Sequence, residues 1–168
     1  MHTSPFYIET VRPGLTLKQF SEEDAAKLFS LIDQNRDHLS QFGDETSAKY
    51  PDLEMVRQSI VMPKNLDRIR YGVWMEDVLI GSINITPLPD DPRLLEVGYW
   101  IGGAHCGRGV ATTVTRTLVR TVTSAPQGVT HLVAWVHEKN KASQRVLLKA
   151  GLGLSGHFES CAWFSLKI

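Results

Sequence analysis

Two glycines flank an arginine in the stretch HCGRGVATT, which runs from His105 to Thr113. An apolar run precedes this stretch and a segment with helical spacing follows it, so Gly107 and Gly109 fall between a strand and the start of a helix. Backbone N–H groups there are free to donate and lie at the positive end of the helix dipole, and glycines let a ligand approach the main chain. The stretch therefore predicts an anion site, with Arg108 as a further positive charge. The alternative is an ordinary turn that uses glycine for its backbone freedom.

Two well-known phosphate loops do not fit this stretch. A Walker-type loop ends in Gly-Lys-Ser/Thr, and the sequence contains no such tripeptide. A dinucleotide-binding loop requires a third glycine or alanine where Thr112 stands, within an early βαβ unit. An anion at this turn would therefore be bound in some other fold.

The charge balance limits the classes of partner. Eighteen basic residues match eighteen acidic ones, so no net field favours nucleic acid, a membrane surface or an acidic substrate. The stretch from Met1 to Thr10 lacks the pattern of a secretory leader, and no apolar run reaches membrane-spanning length. Cys106 and Cys161 lack Cys-x-x-Cys spacing, which argues against a disulfide framework and against a zinc site. We therefore expect a cytoplasmic protein with no nucleic-acid, membrane or metal partner.

The apolar spacing predicts helices and strands that alternate along one domain of 168 residues. Four segments have apolar residues at helical spacing. The first starts at the Ser21 cap and carries Ala25, Leu28, Phe29 and Ile32, and the second carries Leu53, Val56 and Ile60. The third carries Val110, Val114, Leu118 and Val122, and the fourth runs from Asn140 to Ala150 and is ended by Gly151. Strand-like runs are Leu15 and Leu17, Ile69 to Glu76, Val78 to Thr86, Leu94 to Ile101, His131 to His137 and two short strands at the end. Asn35 to Pro51 is expected to be a flexible connection or short helical turn. This order predicts a mixed α+β sheet layer.

Four landmarks resemble one family. CGRGVA, from Cys106 to Ala111, resembles the Gln/Arg-x-x-Gly-x-Gly/Ala pyrophosphate loop of the GNAT acyltransferase superfamily, with Cys106 in place of the usual Gln or Arg. LEVGYWI resembles the fourth strand of its Rim-type (RimJ/RimL-like) subgroup, which acetylates ribosomal-protein N-termini and related amines. NKASQRVLLKAGL resembles the Asn-x-x-Ser helix of that subgroup, and LFSLIDQNRDHL resembles its first helix.

The resemblance implies a fold, a reaction and a cosubstrate. The fold is a single GNAT-like domain over residues 1–168, with a central mixed, mostly antiparallel, twisted sheet of about seven strands flanked by about four helices. The reaction is direct transfer of an acetyl group from acetyl-CoA to a primary amine on a protein N-terminus or a small amino-acid-like molecule. The alternative is a catalytically inactive acyl-CoA-binding or regulatory module. Under either interpretation the protein could form a homodimer.

The resemblance also implies where acetyl-CoA binds. The main chain of Tyr99 to Ile101 would pair with the pantetheine arm like an added strand, and Gly107 to Thr112 would hold the pyrophosphate. Asn140 would contact the pantetheine arm, although the residue type equally suits a helix N-cap. The residues assigned to the cosubstrate are Tyr99, Trp100, Ile101, Cys106, Gly107, Arg108, Gly109, Val110, Ala111, Thr112, Asn140 and Ser143.

Direct transfer requires a base for the amine and an acid for the departing thiolate. Residues two apart on a strand share a face, so Glu96 lies on the face of Trp100. By resemblance Glu96 is the base, acting through water, and Ser143 protonates the thiolate. The alternatives are a salt-bridge partner for Glu96 and a first-turn helix cap for Ser143. His137 is an alternative base, ahead of His105 and His38.

The free energy of deprotonation favours one class of amine. At pH 7 it is about 1.4 kcal/mol for an α-amine of pKa ~8 and about 4.6 kcal/mol for a lysine of pKa ~10.4. A single water-relayed glutamate therefore suits an α-amine better.

The remaining polar and aromatic residues have weaker signals. His131 and His137 would lie about 20 Å apart on one strand, which excludes a shared metal ion. Asp44 and Glu45, with Arg36 and His38 nearby, either attract an ammonium group or solvate their loop. Four tryptophans are expected as core or pocket walls, with stacking on an acceptor as the alternative; they are Trp74, Trp100, Trp135 and Trp163.

Overall fold

Eight strands form one sheet in the computed structural model, which describes residues 6–125 and 128–168. The strands are β1 (Tyr7–Glu9), β2 (Leu15–Gln19), β3 (Ile69–Met75), β4 (Val78–Pro87), β5 (Leu94–Ile101), β6 (His131–His137), β7 (Gly153–Phe158) and β8 (Cys161–Lys167). The helices of the described residues are α1 (Ala25–Asp33), α2 (Arg36–Leu39), α3 (Thr46–Lys49), α4 (Leu53–Val61), α5 (Val110–Ser124) and α6 (Lys141–Ala150). The strand order is β1-β2-β3-β4-β5-β6-β8-β7.

The sheet contains one parallel pair. β5 and β6 run parallel, and every other neighbouring pair is antiparallel. A parallel pair requires a crossover connection, and α5 lies between these two strands in the chain. The loop HCGRGVATT is therefore the first half of the crossover, between the end of β5 and the start of α5.

Helices cover the sheet on both faces. Val114 of α5 and Leu147 of α6 belong to the larger buried cluster, together with sheet residues such as Val97. On the other face, α1 and α4 pack against Trp74 and Trp100 in a second cluster. The two faces follow the alternation expected for β5, because Leu95, Val97 and Ile101 are buried under α5 and α6 whereas Trp100 faces α1 and α4.

The α+β fold predicted from the sequence is confirmed. The one-turn helices α2 and α3 agree with the short helical turn that was one of the two expectations for Asn35 to Pro51. Two features differ from the prediction, and the first is the additional strand β1. The segment after Ser21 starts as a 3₁₀ turn, with the Ser21 N–H donating to Asp24 Oδ2 at 3.0 Å, and becomes α-helical only at Ala25. These pieces are too short to produce a clear apolar period. No helix within the described ranges combines the length and apolar character that crossing a membrane requires.

Candidate active site

A wedge-shaped gap separates β5 from β6. The two strands pair only from Leu94–His131 to Glu96–Val133, although they continue to Ile101 and His137. On their other edges, β5 pairs with β4 along its whole length and β6 pairs with β8. The main chain of β5 beyond Glu96 therefore faces an open gap, into which an extended ligand fits as an added strand.

A cleft of about 510 Å³ opens at this gap. Its lining contains every residue assigned to acetyl-CoA from the sequence except Arg108: Tyr99, Trp100, Ile101, Cys106, Gly107, Gly109, Val110, Ala111, Thr112, Asn140 and Ser143. Arg145 and Lys149 of α6 also line the cleft and supply positive charge. The fold thus brings the strand, the loop and the start of α6 to one place.

The glycine loop leaves its N–H groups at the start of α5 free for a ligand. Gly107 has φ +74° and Gly109 has φ +77°, in the left-handed region that favours glycine, and the space where a Cβ would stand is open at both. Gly109 is the N-cap of α5 and has no side chain to accept from the first turn. Arg12 Nη1 donates to the carbonyl oxygen of Arg108 at 3.0 Å and so tethers the loop to the β1–β2 turn. Arg12 had no signal in the sequence, because its partner lies far along the chain.

The side chains of Arg108 and Cys106 in this loop have different surroundings. The side chain of Arg108 is exposed and does not line the cleft, so its contact with the ligand stays a prediction. The Cys106 thiol lies 3.5 Å from the carbonyl oxygen of Ile101, which also accepts from His38 Nε2 at 3.1 Å. Burial raises the pKa of Cys106, which keeps its sulfur as a thiol at neutral pH. The thiol of Cys106 is thus directed toward the main chain at the end of β5, while the residue also lines the cleft, and its contact with the cosubstrate stays a prediction.

A hydroxyl pair lies at the start of α6. Ser143 Oγ and Tyr99 Oη are 2.7 Å apart, and the Ser143 N–H donates to Asn140 Oδ1 at 3.1 Å. Asn140 thus caps the helix, one of the two roles expected for it. Burial raises the pKa of Tyr99 to about 12, so its phenol stays protonated and able to donate. The sequence assigned only the main chain of Tyr99; its side chain shares the face of Val97 and Ile101, which was the one available signal.

Glu96 lies at the narrow end of the gap. It is the last β5 residue paired with β6 and it stands opposite Thr86 of β4. It is half-buried, and burial raises the pKa of its carboxyl group, partly offset by the nearby Arg68. Glu96 is outside the lining of the cleft, although Trp100 on the same face of β5 belongs to that lining. Since the strands separate directly after Glu96, the gap connects the two faces.

The alternative base is less well placed. His137 Nδ1 accepts from the backbone N–H of Lys139 at 3.1 Å. A neutral ring in this arrangement carries its proton on Nε2 and has no free lone pair with which to accept a proton. Nothing in this geometry favours His137 over Glu96.

The acidic pair of the α2–α3 connection is partly committed to local structure. Asp44 Oδ1 accepts from the N–H of Thr46 at 2.7 Å, and Glu45 pairs with Lys49 at 3.2 Å. Asp44 nevertheless lines the cleft, so attraction of an ammonium group stays a prediction for it. Within residues 6–125 and 128–168, no three His, Cys, Asp or Glu side chains are grouped as a metal ion would require.

Comparison with known proteins gives the family. Residues 14–153 match the acetyltransferase (GNAT) domain family. The chain belongs to this family. The acetyltransferase is 30% identical over 152 residues to the uncharacterized N-acetyltransferase YoaA of Bacillus subtilis (strain 168), which covers 89% of this chain and 84% of the relative. It is 22% identical over 149 residues to the ribosomal-protein-serine acetyltransferase of Escherichia coli (strain K12), which covers 87% and 83%.

Solved structures agree on the fold. The ribosomal L7/L12 alpha-N-protein acetyltransferase RimL in complex with coenzyme A superposes with a TM-score of 0.80, at 15% identity over 94% of this chain and 96% of that one. The resemblance to the Rim-type GNAT proteins is thus confirmed, and the acetyltransferase is an acetyl-CoA-dependent N-acetyltransferase. The roles of individual residues and the identity of the acceptor stay predictions.

Proposed function

We propose that this enzyme acetylates an α-amine, with Glu96 as the base and Ser143 as the group that donates to the departing sulfur. The position of Glu96 carries the proposal: it is the last paired residue before β5 and β6 separate, with a raised pKa. The hydroxyls of Tyr99 and Ser143 lie on the other side of the same gap. A thioester in the gap would therefore meet a base from one face and a donor from the other.

The residues of the cleft fit acetyl-CoA, which supplies the acetyl group as a thioester. The free edge of β5 from Tyr99 to Ile101 suits the extended pantetheine arm with its amide groups. The N–H groups at the start of α5, after Gly109, suit the pyrophosphate. Arg145 and Lys149 add positive charge for a ligand that is rich in phosphate.

Each catalytic residue then has one task. Glu96 takes a proton from the incoming ammonium group through a water molecule, which leaves the nitrogen free to attack the thioester carbonyl carbon. The carbon–sulfur bond breaks, and the Ser143 hydroxyl donates to the sulfur that leaves. When the Ser143 hydroxyl donates to sulfur, Tyr99 Oη, 2.7 Å from Ser143 Oγ and protonated at neutral pH, is the group that donates to Ser143 Oγ in turn. The nitrogen loses a second proton to solvent as the amide forms, the thiol receives one proton through Ser143, which solvent restores, and the proton on Glu96 returns to solvent. The products are therefore the acetylated amine, the free thiol and one released proton.

The choice of an α-amine rests on the free energy of deprotonation. At pH 7 an α-ammonium group of pKa ~8 loses its proton at a cost of about 1.4 kcal/mol, against about 4.6 kcal/mol for a lysine ammonium of pKa ~10.4. Burial raises the pKa of Glu96 and so makes its carboxylate a stronger base. The similarity to a ribosomal-protein-serine acetyltransferase supports a protein N-terminus among such acceptors.

A panel of amines tests this proposal. The protein is incubated with isotopically labelled acetyl-CoA and peptides that offer either a free α-amine or only a lysine side chain, and thiol release and product mass are measured. We expect the label on α-amines and a large loss of turnover in Glu96→Gln. Labelling of lysine side chains at equal rates would overturn the choice of acceptor. Tight binding of acetyl-CoA with no turnover of any amine would instead favour the inactive module.

A further inference from the structure

A stacked pair of tryptophans lies beside the gap on the Glu96 face of the sheet. Trp135 of β6 is 46% exposed, although it is in the middle of a strand. Its ring stacks on that of Trp163 in β8, with centroids 5.9 Å apart and an interplanar angle of 26°. Exposure of so large an aromatic side chain next to an active site suggests a binding surface.

The tryptophan pair, Trp135 with Trp163, is supported by the main chain of β7, which packs against Trp163. A Cβ at Gly156 of β7 would collide with Nε1 of Trp163, so the indole lies directly over the main chain of this glycine. Trp163 pairs in register with both Gly156 and Trp135. The Trp135 ring therefore rests against a fixed neighbour and presents its other side outward.

Trp135 and Glu96 face the same space. The β5–β6 register pairs Glu96 with Val133, and Trp135 is the next residue along β6 on that face. For two paired strands this diagonal spacing is about 8 Å between Cα atoms, and the separation is wider here because β5 and β6 diverge after Glu96. On β5 the next residue on this face is Gly98, and the side chain of Asn84 in β4 lies over it, so an amide group forms the floor between them. Further along, the Phe42 ring lies 5.9 Å from that of His137 and bounds the space.

We propose that Trp135 binds a flat aromatic ring carried next to the acceptor amine, so that the enzyme prefers α-amines of aromatic first residues. This inference rests on the proposed function, because it places the amine at Glu96. An aromatic side chain stands a few ångströms from its own α-amine, and stacked rings prefer centroid separations of about 4.5–7 Å. A water molecule between Glu96 and the amine, followed by the acceptor's own aromatic side chain, would together span the distance from Glu96 to Trp135. The carboxylate attracts the ammonium group, and the indole selects the ring.

Peptide amides that differ only in the first side chain test the preference. Phenylalanine and cyclohexylalanine at that position have similar apolar size, but only phenylalanine is flat and aromatic. We expect kcat/KM with the phenylalanine peptide to exceed that with the cyclohexylalanine peptide by about three- to tenfold, through KM. Trp135→Leu should abolish this ratio, and Trp135→Phe should retain part of it. Tyr7→Leu removes a comparably exposed ring, 49% exposed, at the far edge of the sheet and should leave the ratio unchanged.

A second variant acts without touching Trp135. Gly156→Ala displaces Trp163 and should lower the same ratio while the melting temperature and the acetyl-CoA affinity show that the protein is folded. Equal rates with all first residues, with dependence on Glu96 intact, would overturn the inference and leave the proposed function standing. If no amine is acetylated, the proposed function fails, and titration of tryptophan fluorescence decides the inference. Tighter binding of the phenylalanine peptide that is lost in Trp135→Leu supports it, and equal affinities overturn it.

Discussion

Replacement of Glu96 by glutamine should reduce turnover by an amount that depends on pH. General bases contribute about 10²- to 10⁴-fold, so we expect a loss in kcat/KM of that order at pH 7 in Glu96→Gln. An α-amine of pKa ~8 is about one-tenth neutral at pH 7 and about nine-tenths neutral at pH 9. The rate enhancement that the base provides is therefore about tenfold smaller at pH 9 than at pH 7. The ratio of wild-type to variant activity should shrink by roughly that factor.

The same ionisation predicts the effect on stability. Burial raises the pKa of folded Glu96 above its unfolded value, so the stability that its protonation contributes is present at low pH and is lost as pH rises through the folded pKa. At neutral pH the carboxylate opposes folding, and the neutral amide does not. Glu96→Gln should thus unfold at the same temperature as the wild type or at a higher one.

The assay is thiol release from acetyl-CoA with a fixed α-amine peptide between pH 6.5 and 9.5, with thermal unfolding on the same samples. Glu138→Gln is the matched control, because Glu138 is an exposed carboxylate whose partner is His157 at 3.1 Å. A wild-type to variant ratio near one across the range would refute the base assignment. So would a large ratio that does not change with pH, since it would indicate a positional role for Glu96.

Other substitutions separate the donor from the cosubstrate site. Ser143→Ala should lower kcat by about ten- to a hundredfold, and Tyr99→Phe should lower it by about three- to tenfold. Calorimetric titration should show that the affinity for acetyl-CoA is little changed in either variant. A matching loss of affinity in both would identify a purely structural pair. Gly109→Ala places a Cβ on a backbone with φ +77° and should lower the free energy of unfolding by about 1–2 kcal/mol, as measured by denaturant unfolding. It should also weaken acetyl-CoA binding, as measured by titration. Arg12→Ala should raise KM for acetyl-CoA by about three- to tenfold because the loop loses its tether, and an unchanged KM would show that the tether is not needed. Arg108→Gln tests the predicted side-chain contact with the phosphates: a raised KM supports the contact, and an unchanged KM contradicts it.

The sequence predicts best those elements whose apolar pattern is long. The fifteen residues of α5 contain Val110, Val114 and Leu118 at constant spacing, and this outweighs their many β-branched neighbours. β1 has three residues and α2 has four, so neither completes a period that could be recognised. Their existence depends on partners elsewhere in the chain, such as the β2 edge that pairs with β1.

The candidate site divides in the same way. Local chemistry predicts the glycine turn and the Asn140 cap, because their partners lie within a few residues. The tether from Arg12 to Arg108 spans 96 positions and the bond between Tyr99 and Ser143 spans 44, so neither leaves a local trace. The stacking of Trp135 on Trp163 likewise depends on strand register, which residue types alone do not specify.

The gap in the sheet explains why both faces of one strand can take part in a single reaction. In a fully paired sheet, Glu96 and Tyr99 would be separated by the hydrogen-bonded layer, and their side chains would point into different compartments. Pairing between β5 and β6 stops at Glu96, so the layer is missing beyond that point. A ligand that fills the gap would become part of the sheet and present one side to Glu96 and the other to the hydroxyl pair. The proposed base and donor would thereby be kept apart on opposite faces, which would prevent them from bonding to each other instead of to the reacting atoms.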